Sequence, residues 1–201
     1  MPRPPRPGVA NIPQHIVQRG NDRQARFFDT VDYERYLIYL HQFALHFECA
    51  IHAYLLMTNH VHMLVTPAYV GGVSRMMHAL GTHYVPYING RYARIGTLWE
   101  GRHRTCLVDN EGYLLTCYRY IEQNPCRAHM VAAMDDFRWS SYHCNAHGSF
   151  DRVVTPHPTY LNLGSTVDVR RARYHEIANE RLDDKDLMTF RVGLNRQKPL
   201  R

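Results

Sequence analysis

The run "LLMTNHVHMLV" (55–65) sets two histidines, His60 and His62, two residues apart in an otherwise apolar stretch. On a β-strand, residues i and i+2 share a face. Two neutral imidazoles side by side are a natural start to a divalent-metal site. Spacing alone carries little information: 14 histidines in 201 residues give about one His-x-His pair by chance, and the chain has one. The setting carries more, because an unpartnered imidazole is costly to bury on a central strand. A third ligand has to come from elsewhere, and "EGYLLTCYRYIEQN" (111–124) offers candidates. On a helix, Tyr120 and Asn124 share a face at i, i+4, while Tyr118 and Glu122 share a different one. A tyrosine hydroxyl beside a metal can serve as a nucleophile. With 14 tyrosines in the chain, most must be packing groups.

At 3.6 residues per turn, Glu122 lies about 200° around the helix from Tyr120, Gln123 about 300° and Asn124 about 40°. Glu122 is therefore expected to point away, with Gln123 and Asn124 on the tyrosine's side. A hard cation that already holds two imidazoles needs oxygen donors. The neutral amide of Asn124 adds no negative charge where an anionic substrate must approach. The plain alternative for Asn124 is a helix cap.

These residues need elements to hold them. "QHIVQRG" (14–20) alternates and reads as a strand. "DYERYLIYLHQFALHF" (32–47) has helical apolar spacing, with Asp32 as its expected N-cap. "CAIHAYLLM" (49–57) and "HVHMLVT" (60–66) form a hairpin turning at Thr58-Asn59. Residues 70–92 read as a helix interrupted or bent near Pro86, and 102–109 as a fourth strand. The helix at 111–124 stops at Pro125, because the residue before proline avoids the α region. The order β-α-β-β-α-β-α predicts a ferredoxin-like antiparallel α/β sheet with helices on one face. A loop carrying "FRWSSYH" (137–143) follows, then a linker at 155–164, then two short helices and a basic tail over 166–201. We divide the chain into a loose basic arm (1–12), a core (13–150) and a C-terminal extension (151–201).

The chain is long enough for one domain with a proper core. No run of 18 apolar residues suits a membrane span, and the proline-rich, basic start has no apolar signal region. Five cysteines, odd in number and without a C-x-x-C pair, read as reduced thiols of a cytosolic protein. The net charge of +6 and pI of about 9.2 favour a polyanionic partner, most simply nucleic acid. Of 24 basic residues, 22 are arginine, which forks onto phosphates better than lysine, although an Arg-rich codon bias gives the same count.

"TNHVHMLV" followed by "YRYIEQNPCRAHMV" resembles the REP-associated tyrosine transposases, a branch of the single-tyrosine HUH nucleases, in which two histidines flank a hydrophobic residue, here Val61. "HIVQRGNDRQARFF" (15–28), "LWEGRHRT" (98–105) and "DFRWSSYH" (136–143) are similar to further family segments. Cys126 departs from the usual Val of "NPVRA". The resemblance implies that His60 and His62 bind Mg²⁺ or Mn²⁺, with Asn124, four residues after the tyrosine, as third ligand. It implies that Tyr120 attacks a phosphate of single-stranded DNA, leaving a 5′-phosphotyrosine and a free 3′-OH, and that the substrate is a REP-type hairpin with a single-stranded tag. Such a substrate needs a basic surface for the stem and pockets for the tag. Arg19, Arg23 and Arg26 near the first strand, Arg102 and Arg104 near the fourth, and Arg170 and Arg171 in the extension are the candidate DNA contacts, or else a solvated basic surface. The expected setting is cytoplasmic and nucleoid-associated, with monomer and homodimer equally open. Three alternatives stand beside this reading. One is a domesticated hairpin binder that does not cleave. Another is an RNA-binding ferredoxin-like module, although the aromatic RNA-recognition signature is absent. A zinc enzyme is disfavoured because neither a cysteine pair nor H-E-x-x-H accompanies the histidines.

Overall fold

The computed structural model describes residues 9–196, without the side chains of Arg23, Asn195 and Arg196. Four strands, β1 (Gln14–Arg19), β2 (Cys49–Met57), β3 (His60–Pro67) and β4 (Arg104–Leu107), form one sheet in the order β2-β3-β1-β4. All neighbours pair antiparallel, as the βαββαβ order predicts.

Alternation along β3 sorts the molecule into two layers. Val61, Met63 and Val65 face a core built with α1 (Thr30–His46) and α2 (Gly72–Arg91). His62 and Leu64 face the opposite side. That side is covered by α3 (Glu111–Glu122), α5 (Tyr142–His147), α7 (Val167–Asn179) and α8 (Asp184–Arg196). Helices on one face is therefore right for the two crossover helices alone; α3 and the later helices cover the other face. The reason is that β2 and β3 are apolar on both sides, and a face of Ala53, Leu55 and Leu64 cannot be left in water. Each of the two leucines contributes about 1.5–3 kcal/mol when fully buried.

Local signals set the element ends. The N-cap of α1 is Asp29, not Asp32. Asp32 sits at the third helical position and its carboxylate accepts from the backbone N–H of Phe28 and Asp29, the reach-back half of a capping box. Helix α2 runs without interruption through Pro86. Helix α3 ends at Glu122, and a short α4 (Asn124–Arg127) follows with Pro125 at its start, where a missing N–H costs nothing.

Segments expected to be loose are tied down. Residues 1–8 of the basic arm lie outside the described residues, but Asn11 N–H donates to the Pro67 carbonyl at 2.8 Å. The "FRWSSYH" segment runs along the outer edge of β2: Leu56 N–H donates to Trp139 O, and Ser141 N–H to Tyr54 O. The expected linker at 155–164 extends that cover, with Thr155 N–H donating to Ile51 O at 2.7 Å and His52 bonding the Thr155 carbonyl. It then forms α6 (Pro158–Leu161), whose Tyr160 is buried. An exposed edge strand is a template for wrong pairing, and this cover removes it. The basic tail is helical from Arg191 to Arg196 as the end of α8, and residues 197–201 lie outside the described residues.

Candidate active site

The histidine face of β3, the end of β1, the segment 98–104, the α3–α4 junction and α8 meet around a cavity of about 640 Å³. Arg19, His60, His62, Glu100, Arg102, Arg104, Tyr120, Asn124 and Arg191 are among its walls. The segment 98–100 is held beside β1 by Asn21 N–H to Leu98 O and Glu100 N–H to Arg19 O. This brings Arg102 and Arg104 to the side where Arg19 emerges.

His60 is held at one ring nitrogen and His62 at both. His60 Nδ1 lies 2.6 Å from Asn59 Oδ1, so it donates there and leaves Nε2 as a lone pair. His62 Nδ1 lies 3.1 Å from His15 Nε2, and Asn124 Nδ2 donates toward His62 Nε2 at 3.2 Å. Burial, with Arg19 nearby, pulls His60 down to about 4. Burial, helped by His60 and His15, holds His62 well below the ordinary histidine value. Both rings are therefore neutral at pH 7, the form that can ligate a cation.

Tyr120 comes to the same place from α3. Its ring centroid is 6.1 Å from that of His62 and 5.5 Å from that of His15. The Arg127 guanidinium lies 4.7 Å from the ring centre and donates to the Tyr120 carbonyl. Burial raises the phenol above its ordinary value, opposed by Arg127 and Arg191. Those cations would also favour the phenolate that forms when the hydroxyl attacks an electrophile. Tyr118, two residues earlier, is fully buried against Tyr160 and Tyr174 and has no path to the cavity.

The helical wheel places Asn124 and Glu122 well and Gln123 badly. Glu122 turns away and is buried, accepting from Ser141 Oγ, Asn145 Nδ2 and Tyr174 OH. Gln123 does not face the tyrosine; its amide donates to the carbonyls of Ala178 and Glu180, both at 2.7 Å. Gln123, the C-cap of α3, is drawn instead to the carbonyls at the end of α7. Among the described residues no group of three or more His, Cys, Asp or Glu side chains is placed to hold a metal. The donor set here is instead two imidazoles and one amide around an open cavity, which fits a hard cation completing its shell with water and phosphate oxygen.

The arginine candidates separate. Arg19, Arg102 and Arg104 are exposed at the cavity. Arg26 does not line the cavity: it is fully buried and its guanidinium donates to the Asn21 carbonyl. Its side chain packs where a Cβ on Gly20 would stand, so any larger residue there would have to displace Arg26. Arg170 and Arg171 lie away from the cavity, bonded to the Gly164 and Gly148 carbonyls. The Arg23 side chain is outside the described residues. Sequence reasoning missed His15 and Arg127, and did not separate Arg191 from the tail. The alternation of "QHIVQRG" could have placed His15 on the face of the histidine pair.

Residues 8–124 match the family described as transposase, IS200-like. The chain belongs to the IS200-like transposase family. No curated protein matches this transposase. Its fold is similar to that of a REP-associated tyrosine transposase solved bound to a REP hairpin. That match covers 92% of this chain and 100% of the other at 14% identity, with a TM-score of 0.64. A putative transposase from Deinococcus radiodurans covers 60% of this transposase and 96% of its own length, at 20% identity and a TM-score of 0.41.

Proposed function

We propose that the chain is a metal-dependent single-strand DNA endonuclease and strand transferase that acts on REP-type hairpins through Tyr120. The observation that carries this reading is the meeting of Tyr120, His60, His62 and Asn124 at one cavity edged by Arg19, Arg102 and Arg104. His60 and His62 would hold Mg²⁺ or Mn²⁺ through their Nε2 atoms, with the Asn124 amide oxygen as third protein ligand. The cation, when bound, polarises the scissile phosphate and neutralises charge developing on it. The Tyr120 oxygen attacks phosphorus, the P–O3′ bond breaks, and a 5′-phosphotyrosine and a 3′-OH result. Attack by a 3′-OH on that phosphotyrosine reverses the exchange and rejoins ends, so no outside energy source is required. Exposed arginines hold the backbone of the single-stranded tag and the foot of the stem. Residues 13–150 form the catalytic core in this reading, and 151–201 the extension, whose α6, α7 and α8 pack on α3. The partner is DNA, in a cytoplasmic, nucleoid-associated setting.

The test is incubation of the pure chain with labelled single-stranded REP-type hairpin DNA and Mn²⁺. A covalent protein–DNA adduct is expected, lost in Tyr120→Phe and retained in Tyr118→Phe, with hairpin affinity within a few-fold in both. An adduct that persists in Tyr120→Phe overturns the nucleophile. Hairpin binding with no adduct in the unaltered chain favours a binder that does not cleave.

A further inference from the structure

Behind His62, on the neighbouring strand, sits a third histidine. His15 is fully buried in β1, on the same face of the sheet as His62. Its ring lies along that of His62, with centroids 5.3 Å and planes 25° apart, and the two are joined by the 3.1 Å contact between His15 Nε2 and His62 Nδ1. Its other nitrogen, Nδ1, is buried and has no hydrogen-bond partner among the described residues. A strand position closed off by Tyr120 and Phe190 would be filled more cheaply by an apolar ring. The imidazole is therefore unexplained by packing.

We propose that His15 is a positioning residue that fixes the tautomer and ring orientation of His62. This rests on the metal reading above. For His62 to bind a cation at Nε2, that atom must be a bare lone pair, so the ring proton must sit on Nδ1. A buried N–H needs an acceptor, and the group standing at hydrogen-bond distance is His15 Nε2. Asn124 Nδ2 faces His62 Nε2 as the donor, which puts the His62 proton on Nδ1 and makes His15 Nε2 its acceptor. The His15 proton then sits on an unpartnered Nδ1, the cost at which His62 is held with Nε2 toward Asn124 and the cavity. His60 is locked in the same sense by Asn59 Oδ1. The two ligands thus have separate partners, and both present Nε2. Partners of this kind commonly change metal affinity 10–100-fold when removed.

Two measurements test it. The first uses ¹⁵N-labelled unaltered chain, free of metal, at pH 7. Long-range ¹H–¹⁵N correlations are expected to show His62 protonated at Nδ1, whereas protonation at Nε2 overturns the proposal. The second is Mn²⁺ affinity by calorimetry, without DNA. His15→Phe is expected to bind at least tenfold more weakly with its fold retained, and His15→Gln, which offers an acceptor oxygen, to recover most of the loss. Unaltered affinity in a folded His15→Phe overturns the proposal. Absence of Mn²⁺ binding in the unaltered chain is a separate outcome that removes the metal reading, while the tautomer still decides whether His15 orients His62.

Discussion

The ring of Tyr120 lies on that of Phe190, with centroids 4.7 Å and planes 25° apart. Phe190 belongs to α8, 70 residues further along the chain, and is fully buried. The C-terminal extension therefore forms one wall of the nucleophile's environment. Deleting residues 165–201 would strip Tyr174 and Phe190 from the core as well as removing basic charge. The cleaner variant is Phe190→Ala. Cavity formation should cost about 3 kcal/mol or more, read as a fall in Tm. Burial is the main cause of the raised Tyr120 value, so admitting water should lower it. The check is the Tyr120 ring-carbon shift followed by NMR titration, and an unchanged titration would show that Phe190 does not control that phenol.

Asn124, Gln123 and Glu122 are adjacent in sequence and face three different groups. Asn124→Ala should weaken Mn²⁺ binding about tenfold or more while leaving Tm within a few degrees. Gln123→Ala should do the reverse, since it frees two carbonyls at the end of α7 and touches no cavity group. Calorimetry and thermal melts on both variants separate the roles. Normal Mn²⁺ affinity with a collapsed Tm in Asn124→Ala would assign that residue to capping.

Arginine variants should divide by burial. Arg19→Ala and Arg102→Ala should each weaken hairpin binding several-fold. Each should also reduce the slope of log K against log salt by about 0.7–0.9 per lost phosphate contact. Arg26→Ala should instead lower Tm, because it removes a buried side chain and its bond to the Asn21 carbonyl. Filter-binding isotherms at several salt concentrations, set beside melting curves, provide the comparison. A folded Arg26→Ala with a reduced salt slope would return that residue to the DNA surface.

Glu122 makes stability depend on pH. Burial pushes its carboxyl up from 4.5 to about 7 against three hydrogen-bond donors. Between these values the folded chain holds a proton that the unfolded chain has released. By linkage, this group's contribution to stability is full below about pH 4.5 and is lost as pH rises through about 7. The span corresponds to roughly 3 kcal/mol. Urea unfolding from pH 5 to 8 should show the decline, and Glu122→Gln should flatten it. A decline of equal size in Glu122→Gln would assign the effect to other groups.

Two kinds of information meet in this chain. Backbone periodicity is local, so the sequence by itself determined that His60 and His62 share a strand face, that they follow a turn at Thr58-Asn59, and that Tyr118 and Tyr120 point different ways. The same periodicity put Glu122 away from the nucleophile. Whatever depends on residues far apart in the chain was settled by tertiary packing. His15 and His62 are 47 positions apart and touch because β1 and β3 pair in one register. Phe190 reaches Tyr120 because the second face of the sheet is apolar and needed cover that the crossover helices, both on the first face, could not supply. The composition of "RGNDRQARFF" gives Arg19 and Arg26 equal standing as cations. Only the fold sends one guanidinium into the cavity and encloses the other, since burial depends on what closes around a side chain. Gln123 left the face assigned to it because its amide is taken up by carbonyls 55 and 57 positions further along the chain, a contact that periodicity does not register.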